Sequence, residues 1–331
     1  MARFLVSRAA GAVAVLVVLV TIVFLLQSVV PGDPVRARVG ANASPAVVAL
    51  ERHALGLDRP LTDQYFTYLK GALGGNLGQS IRTSQPVMTD IGQYLPATIE
   101  LAIVTMFLAV LGGGLLGIAA ATTARGAGLL RTLFVSGASA PTFLLGFGLI
   151  YIFYLKLGWL PASGQTGALN APSGPTGFLL IDGLLAGTPG VSIGSLQYLV
   201  LPATSLALLP AVAIGRVLRS SLLEVYDADY IRTARAKGLA PAVVLRRHAL
   251  RNAMSAPLTM TGLQFGLLLG GVVVVETIFA WPGIGLYLDQ SIGAGDLPAI
   301  TGVTLVLGAT YVIVNILVDI GQAVVDPRVT L

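Results

Sequence analysis

The sequence predicts an all-α, polytopic membrane protein with six transmembrane helices and both termini on the cytoplasmic side. The first observation is composition. Of 331 residues, 55% are hydrophobic and 11% charged, with a mean hydropathy of +0.84, whereas soluble proteins carry about 25% charged residues. The second is run length. A spanning helix needs about 20 apolar residues, and several uninterrupted runs of that size occur. Lipid offers backbone groups no partner, so only helices and closed barrels cross it, and continuous rather than alternating apolar runs belong to helices. The third is the placing of the net charge of +5. Lys and Arg gather in a few segments, where they set orientation, so the positive balance does not point to nucleic acid. With no cysteine in the chain, disulfides, thiol catalysis and Cys-ligated metal are excluded.

Arg3 and Arg8 precede an apolar run from Ala9 to Val30. It is longer than a signal-peptide core of about 7–15 residues, so a retained first span with a cytoplasmic N-terminus is expected. Pro31-Gly32-Asp33-Pro34 ends it. Residues 32–95 then mix six bases (Arg36, Arg38, Arg52, Arg59, Lys70, Arg82) with five acids (Asp33, Glu51, Asp58, Asp63, Asp90), the near balance of an external region. Within it, Tyr65, Phe66 and Leu69 have the spacing of a short amphipathic helix at the membrane surface. The second span covers about Pro96–Ala121. A short loop bearing Arg125 and Arg131 and no acid is placed inside. The third span, about Leu130–Leu157, is expected to kink at Pro141. Residues 158–197 are rich in Gly and Pro, hold one acid (Asp182) and no base, and read as external, with a short helix near Phe178–Leu185 and Trp159 as an interfacial anchor. The fourth span covers about Tyr198–Leu218, bent by Pro202 and Pro210. The fifth covers about Pro257–Ala280 and the sixth about Leu297–Ile320.

Between the fourth and fifth spans lies the most charged stretch of the chain, Asp227–Asn252. From Arg216 to Arg251 there are eight bases (Arg216, Arg219, Arg232, Arg235, Lys237, Arg246, Arg247, Arg251) and three acids (Glu224, Asp227, Asp229). Thirteen of the twenty Lys and Arg fall in segments placed inside. Asp229 is a candidate N-cap, with Ile231 and Ala234 on one face behind it. Gly238 is a helix stop and Pro241 suits a following first turn. The spacing predicts helix, tight Gly turn, helix: a cytoplasmic elbow between two spans. A basic helix that merely sits on anionic lipid is the plain alternative.

The ordered string D-Y-I-R-T-A-R-A-K-G from Asp229 to Gly238, followed by R-H-A-L-R-N from Arg247 to Asn252, resembles the EAA loop of ABC-importer permeases in its dipeptide/oligopeptide form. Against the general EAA pattern set on Gly238, only Ala234, Gly238 and Leu250 fit. Arg232 and Thr233 stand where Glu-Ala would, His248 where Ile would, and Arg251 where Pro would. Other strings are similar to the same family in order along nearly the whole chain: Pro31–Pro34, Leu55–Pro60, Gly75–Ser80 (with Gly75-Asn76 where Gly-Asp is frequent), Thr98–Leu101, Gly158–Gly164, Leu199–Pro210, Glu276–Gly285 and Asp326–Arg328. The resemblance, to the B-type permease subunit, implies a type I importer fold in a bacterial plasma (inner) membrane. It divides the chain into residues 1–31 (N-terminal segment and first span), 32–95 (external region) and 96–331 (permease core of five spans, with the coupling loop at about 221–252). It implies ATPase-coupling roles for Asp229, Tyr230, Arg232, Ala234, Arg235, Lys237 and Gly238. The partners it implies, besides the lipid membrane, are a second homologous permease, two ABC ATPase subunits and an extracytoplasmic solute-binding protein docking on residues 32–95, 158–197 and 281–297.

The chemistry in the chain fits a part that binds no cofactor of its own. A P-loop needs Lys followed by Ser or Thr, but Lys70 and Lys237 precede Gly and Lys156 precedes Leu. ATP and Mg²⁺ therefore belong to partner subunits, and no enzyme activity is expected. His53 and His248 are the only histidines and fall on opposite sides of the expected topology, with no HExxH. Ionisable groups in spans are costly and frequently functional. Glu100 is expected to reach the outer interface and Asp319 to be solvated at a helix end, while Glu276 either lines the path or pairs within the bundle. Gln264 and Asn315 are polar and apt to face the bundle interior, where interhelical hydrogen bonding is the plain alternative. Gln264, Glu276 and Asn315 are the candidate pathway residues.

The function implied by the resemblance is ATP-driven import of dipeptides or oligopeptides, with nickel, haem-like or other small solutes as alternative cargo. A stand-alone secondary transporter using Glu276 and Asp319, and a membrane scaffold without transport, are the other classes. The elbow discriminates, because a self-contained carrier needs no ATPase dock.

Overall fold

The structure, a computed structural model, describes residues 2–29, 34–40, 42–122, 132, 136, 140–167 and 174–325. Among them there is no strand, only an isolated bridge between Gln79 and Pro86. The helices are α1 (Ala2–Val29), α2 (Pro34–Val39), α3 (Pro45–Ala54), α4 (Leu61–Leu73), α5 (Val87–Thr122), α6 (Thr142–Leu149), α7 (Leu179–Leu185), α8 (Pro189–Tyr226), α9 (Asp229–Ala236), α10 (Pro241–Val243), α11 (Leu250–Ala253), α12 (Ser255–Ile278), α13 (Ile284–Gly293) and α14 (Leu297–Val325). Helix α6 runs on as a π-helix over Ile150–Lys156, and a second π-helix, Val244–Ala249, joins α10 to α11.

Among the described residues, five helices are long and apolar enough to cross a membrane: Ala10–Gln27, Val87–Thr122, Pro189–Tyr226, Ser255–Ile278 and Leu297–Val318. They coincide with five of the expected spans. The third expected span is represented by the shorter apolar helix Thr142–Lys156. Its first half falls on residues 123–131, 133–135 and 137–139, outside the described residues, as do the tail 326–331 and the side chain of Asp319. Pro141 stands at a break and not inside a helix. It is the N-cap residue of α6, which a proline can precede at no hydrogen-bonding loss.

The expected boundaries were too narrow at two spans. Helix α5 starts at Val87 and runs through Pro96, and α8 runs 38 residues through Pro202 and Pro210. A proline in a spanning helix costs one internal N–H bond, which neighbours can offset. The Ser205 hydroxyl, one turn on, donates to the carbonyl of Pro202 itself at 2.8 Å.

The chain divides into two units, residues 1–96 with 283–312 and residues 97–282 with 313–331. In the first, Val20 and Val23 of α1 pack with Leu305 of α14, flanked by Tyr68 and Leu69 of α4. Helix α4 covers the expected amphipathic stretch, and its Tyr65 packs on α1. It shares a hydrogen bond with Thr21 at 2.9 Å and sets its ring edge-on to Phe24, with centroids 5.4 Å apart. A second cluster gathers Val87, Ile91, Ile284, Tyr287, Ala299 and Val303. Around it runs a buried polar clasp. Asp296 accepts from the Ser80 hydroxyl (2.5 Å), the Arg82 amide (3.1 Å) and the Ala299 amide (3.1 Å), while Asp90 accepts from Tyr287 Oη (2.7 Å) and Thr83 Oγ1 (2.6 Å). These bonds fasten the 80–83 turn to α13 and α14.

In the second unit the core joins Leu101, Leu199, Leu206, Leu268, Val275, Phe279 and Trp281. Trp281 is fully buried and its indole N–H donates to the carbonyl of Ala97 at 2.9 Å. Helices α5 and α8 cross with their backbones nearly touching. A Cβ built on Gly113 would lie 2.5 Å from the Ala211 carbonyl oxygen, and one on Gly117 would lie 2.7 Å from that of Gly215. Only small residues permit such an approach between spanning helices.

Candidate coupling elbow and polar groups of the spans

The elbow forms where the apolar pattern of α8 gives way to charge. Helix α9 spans Asp229–Ala236. Asp229 is not its side-chain cap, contrary to expectation. Ala228 holds the N-cap conformation, with φ −69° and ψ 144°, and no side chain caps the helix. Asp229 is already helical, and its negative charge in the first turn still favours the positive end of the helix dipole. At the other end Gly238 has φ +76°. Its amide donates to Arg235 O (2.9 Å) and that of Leu239 to Ala234 O (3.4 Å). This pair of bonds is the Schellman arrangement, which needs a left-handed residue where Gly238 stands. Pro241 then opens the next helix.

One of the seven coupling residues and a neighbour differ in kind from the rest. Ala234 and Ile231 point inward, 6% and 0% exposed. They lock α9 onto a cluster of Leu218, Leu222, Val244, Ala249 and Ala253. Tyr230, Arg232, Arg235, Lys237 and Gly238 are exposed. Tyr230 Oη accepts from Asn252 Nδ2 at 3.1 Å, which ties α9 to α11. The Arg235 guanidinium lies over the Tyr226 ring, 5.2 Å from its centroid, inside the reach of about 6 Å for a cation–π contact. Arg232 and Asp229 form an exposed ion pair at 3.3 Å, worth at most about 1 kcal/mol. The elbow is thus a short helix bolted by its inner face, presenting an outer face of cations beside Tyr230, Leu239 and Val243.

The candidate pathway residues do not share one site. Gln264 lines a cavity of about 340 Å³ together with Thr142, Leu206, Pro210, Arg216 and Leu267. Neither Glu276 nor Asn315 borders that cavity. Glu276 is fully buried and accepts from Thr98 Oγ1 at 2.7 Å, a bond between α12 and α5. It pairs within the bundle. Glu100 does not reach the interface as expected. It is buried and accepts from the Leu180 amide (2.9 Å) and Gln165 Nε2 (3.0 Å), so it anchors the 158–197 segment. Asn315 is half-buried on α14. Sequence reasoning passed over Arg216 as a site residue, counting it only as orienting charge. Its place beside the same cavity as Gln264 is set by packing of α8 on α12, which no local pattern reveals.

Two family descriptions match almost the whole chain: the N-terminal part of binding-protein-dependent transport system membrane components over residues 1–102, and the inner membrane component of binding-protein-dependent transport systems over residues 113–331. The chain belongs to this family. It is accordingly a multi-pass inner-membrane component of such a transport system. Among its relatives is the probable D,D-dipeptide transport system permease protein DdpB of Escherichia coli K12, 42% identical over 98% of this chain and 96% of that protein. Another is the di/tripeptide transport system permease protein DppB of Pseudomonas aeruginosa UCBPP-PA14, 42% identical over 92% of each. The fold is similar to a chain of the MetNI methionine ABC transporter in inward-facing conformations, with a TM-score of 0.56 at 17% identity, covering 74% of this chain and 100% of that one.

Proposed function

We propose that this inner-membrane component is the permease subunit of an ATP-driven importer. With a second homologous permease it forms the path for dipeptides or oligopeptides delivered by an external solute-binding protein. Two ATPase subunits bind ATP and Mg²⁺, and this chain binds neither. Six spans with both ends cytoplasmic, an external region at 32–95 and a coupling loop at about 221–252 within the 96–331 core complete the proposal. Peptide names among relatives covering nearly the full chain support the cargo.

The observation that carries the mechanism is the elbow's two-faced construction. Ile231 and Ala234 fix α9 to the inner end of α8, while Tyr230, Arg232, Arg235 and Lys237 remain presented outward. A helix held this way passes on a push without sliding on its seat. ATP-driven closure of the ATPases displaces α9, and α9 carries α8 and, through the Val244–Ala253 segment, α12. The path then alternates between outward and inward access.

The test is purification of the tagged chain from native membranes, mass identification of the co-eluting chains, and uptake of dipeptides by the reconstituted complex. Co-elution of a P-loop ATPase and a second permease, with ATP-dependent dipeptide uptake, is expected. A chain that elutes alone and moves solute without ATP would make it a secondary carrier. Import of nickel or a haem-like solute but not peptide would replace the cargo and keep the machine.

A further inference from the structure

Arg216 and Gln264 face one cavity from two helices. Counted at 1.5 Å per residue, Arg216 lies about 15 Å along α8 from Tyr226 and Gln264 about 14 Å along α12 from Ser255, so both stand at a similar distance from the elbow. The cavity, about 340 Å³, is the size of a small-ligand site. Leu206, Leu209, Pro210, Leu267 and Leu268 make its walls apolar.

The polar groups there are conspicuously underused. Arg219, one turn beyond Arg216, donates to the carbonyl of Ala120 at 3.3 Å. Arg216 makes no hydrogen bond or ion pair among the described residues. Gln264 gives its amide only to the Met260 sulfur at 3.6 Å, a weak acceptor. Among the described residues, no Asp or Glu borders the cavity. Arg216 is exposed in the single chain, so its guanidinium can meet an anion that enters the cavity beside the apolar walls. Its planar fork of donors fits a carboxylate with two parallel bonds, and the Gln264 N–H₂ offers another donor across the space.

We propose that this cavity is a subsite on the transport path that holds the free terminal carboxylate of a small peptide, gripped by Arg216 and steadied by Gln264. The proposal rests on the peptide-importer function above. The anion that Arg216 lacks among the described residues is supplied by the cargo, and the apolar walls take the adjoining side chain whatever its identity. A lone grip of this kind selects for a carboxylate end while leaving side chains unread, which suits a path that must pass many peptides.

The chain has no cysteine, so Arg216→Cys places a single thiol in it. The complex carrying R216C, reconstituted with its ATPases and binding protein, is assayed for dipeptide uptake before and after treatment with cationic, neutral and anionic methanethiosulfonates. Wild-type complex treated in parallel controls for cysteines on partner subunits. Uptake is expected to fall about tenfold or more in R216C, as for loss of a charge-assisted bond, and to recover only with the cationic reagent. Unchanged uptake in R216C, or equal recovery with all three reagents, overturns the proposal. Gln264→Glu is the second variant, should R216C not assemble. Its carboxylate would occupy Arg216, and uptake is expected to fall about fivefold or more; wild-type uptake by Q264E overturns the proposal. A wild-type complex that imports no peptide at all refutes the cargo assignment instead, and the two failures are told apart by that control.

Discussion

Replacing Gly238 isolates the turn that closes the elbow from everything around it. A Cβ at this position would meet nothing within 4 Å, so a substitution carries no steric clash and its cost is the backbone alone. At φ +76° an L-residue pays about 1–2 kcal/mol. Asn pays less because its side chain tolerates the left-handed region, and a β-branched residue is the worst placed. At about 1.4 kcal/mol per tenfold, the turned population falls by roughly 5- to 30-fold across the series. What is lost with the turn is the pair of bonds from Gly238 and Leu239 to Arg235 and Ala234, and with them the fixed angle between α9 and the next helix. The assay is ATP-driven uptake in proteoliposomes, normalised to the amount of assembled complex, for Gly238→Asn, Gly238→Ala and Gly238→Val. Asn is expected within about twofold of wild type, Ala several-fold down and Val about tenfold or more down. Equal uptake by all three, or Asn as poor as Val, would refute the argument that a left-handed turn at 238 transmits the stroke.

Three further outcomes follow from packing and charge. Gly117→Val would set side-chain atoms against the Gly215 backbone, where the Cβ alone comes within 2.7 Å of the carbonyl oxygen. Because backbone cannot step aside, a loss of about 1–3 kcal/mol or more is expected, read as a lower thermal midpoint in detergent, while Gly114→Val, which meets nothing within 4 Å, stays near wild type. Asp296→Ala strips the partner from Ser80, Arg82 N and Ala299 N. At about 1–3 kcal/mol per buried group left unpaired, residues 79–86 should become open to limited proteolysis, and continued protection would count against the clasp. Burial first, and the hydrogen bond to Asp90 second, hold the Tyr287 hydroxyl well above its ordinary 10. The folded state therefore keeps a proton that the unfolded chain gives up, and stability supplied by neutral Tyr287 is full below pH 10 and drains away as pH rises beyond it. Alkaline melting should show this sag in wild type and lose it in Tyr287→Phe.

Much of this fold is written locally. Continuous apolar runs announce five of the helices, and the Gly238 stop, the Pro241 start and the helix at Leu179–Leu185 follow from single residues and short periodicities. The family strings add order along the chain, and the matching families cover residues 1–102 and 113–331. The misses share a cause. Asp229 has the chemistry of a cap, but whether it caps depends on which residue leaves the helix first, and that is Ala228. Glu100 reads as interfacial, and Glu276 stays undecided between the path and a partner in the bundle, because their partners are remote: Leu180 is 80 residues from Glu100, and Thr98 is 178 from Glu276. Gly113 and Gly117 look like ordinary small residues until Ala211 and Gly215 arrive from another helix. The expected start of the second span at Pro96 follows proline's reputation in water, which weakens where helix neighbours supply the missing bonds.

The central claim is that a separate ATPase drives this chain through the outer face of α9. A thiol-directed photocrosslinker placed at Lys237→Cys, exposed beside Gly238, tests it most directly, with Val274→Cys on the exposed face of α12 as the control position. In the assembled complex, the account predicts an adduct from position 237 to a P-loop ATPase, identified by mass, and none from position 274. No ATPase adduct at 237, or equal adducts from both positions, would contradict it.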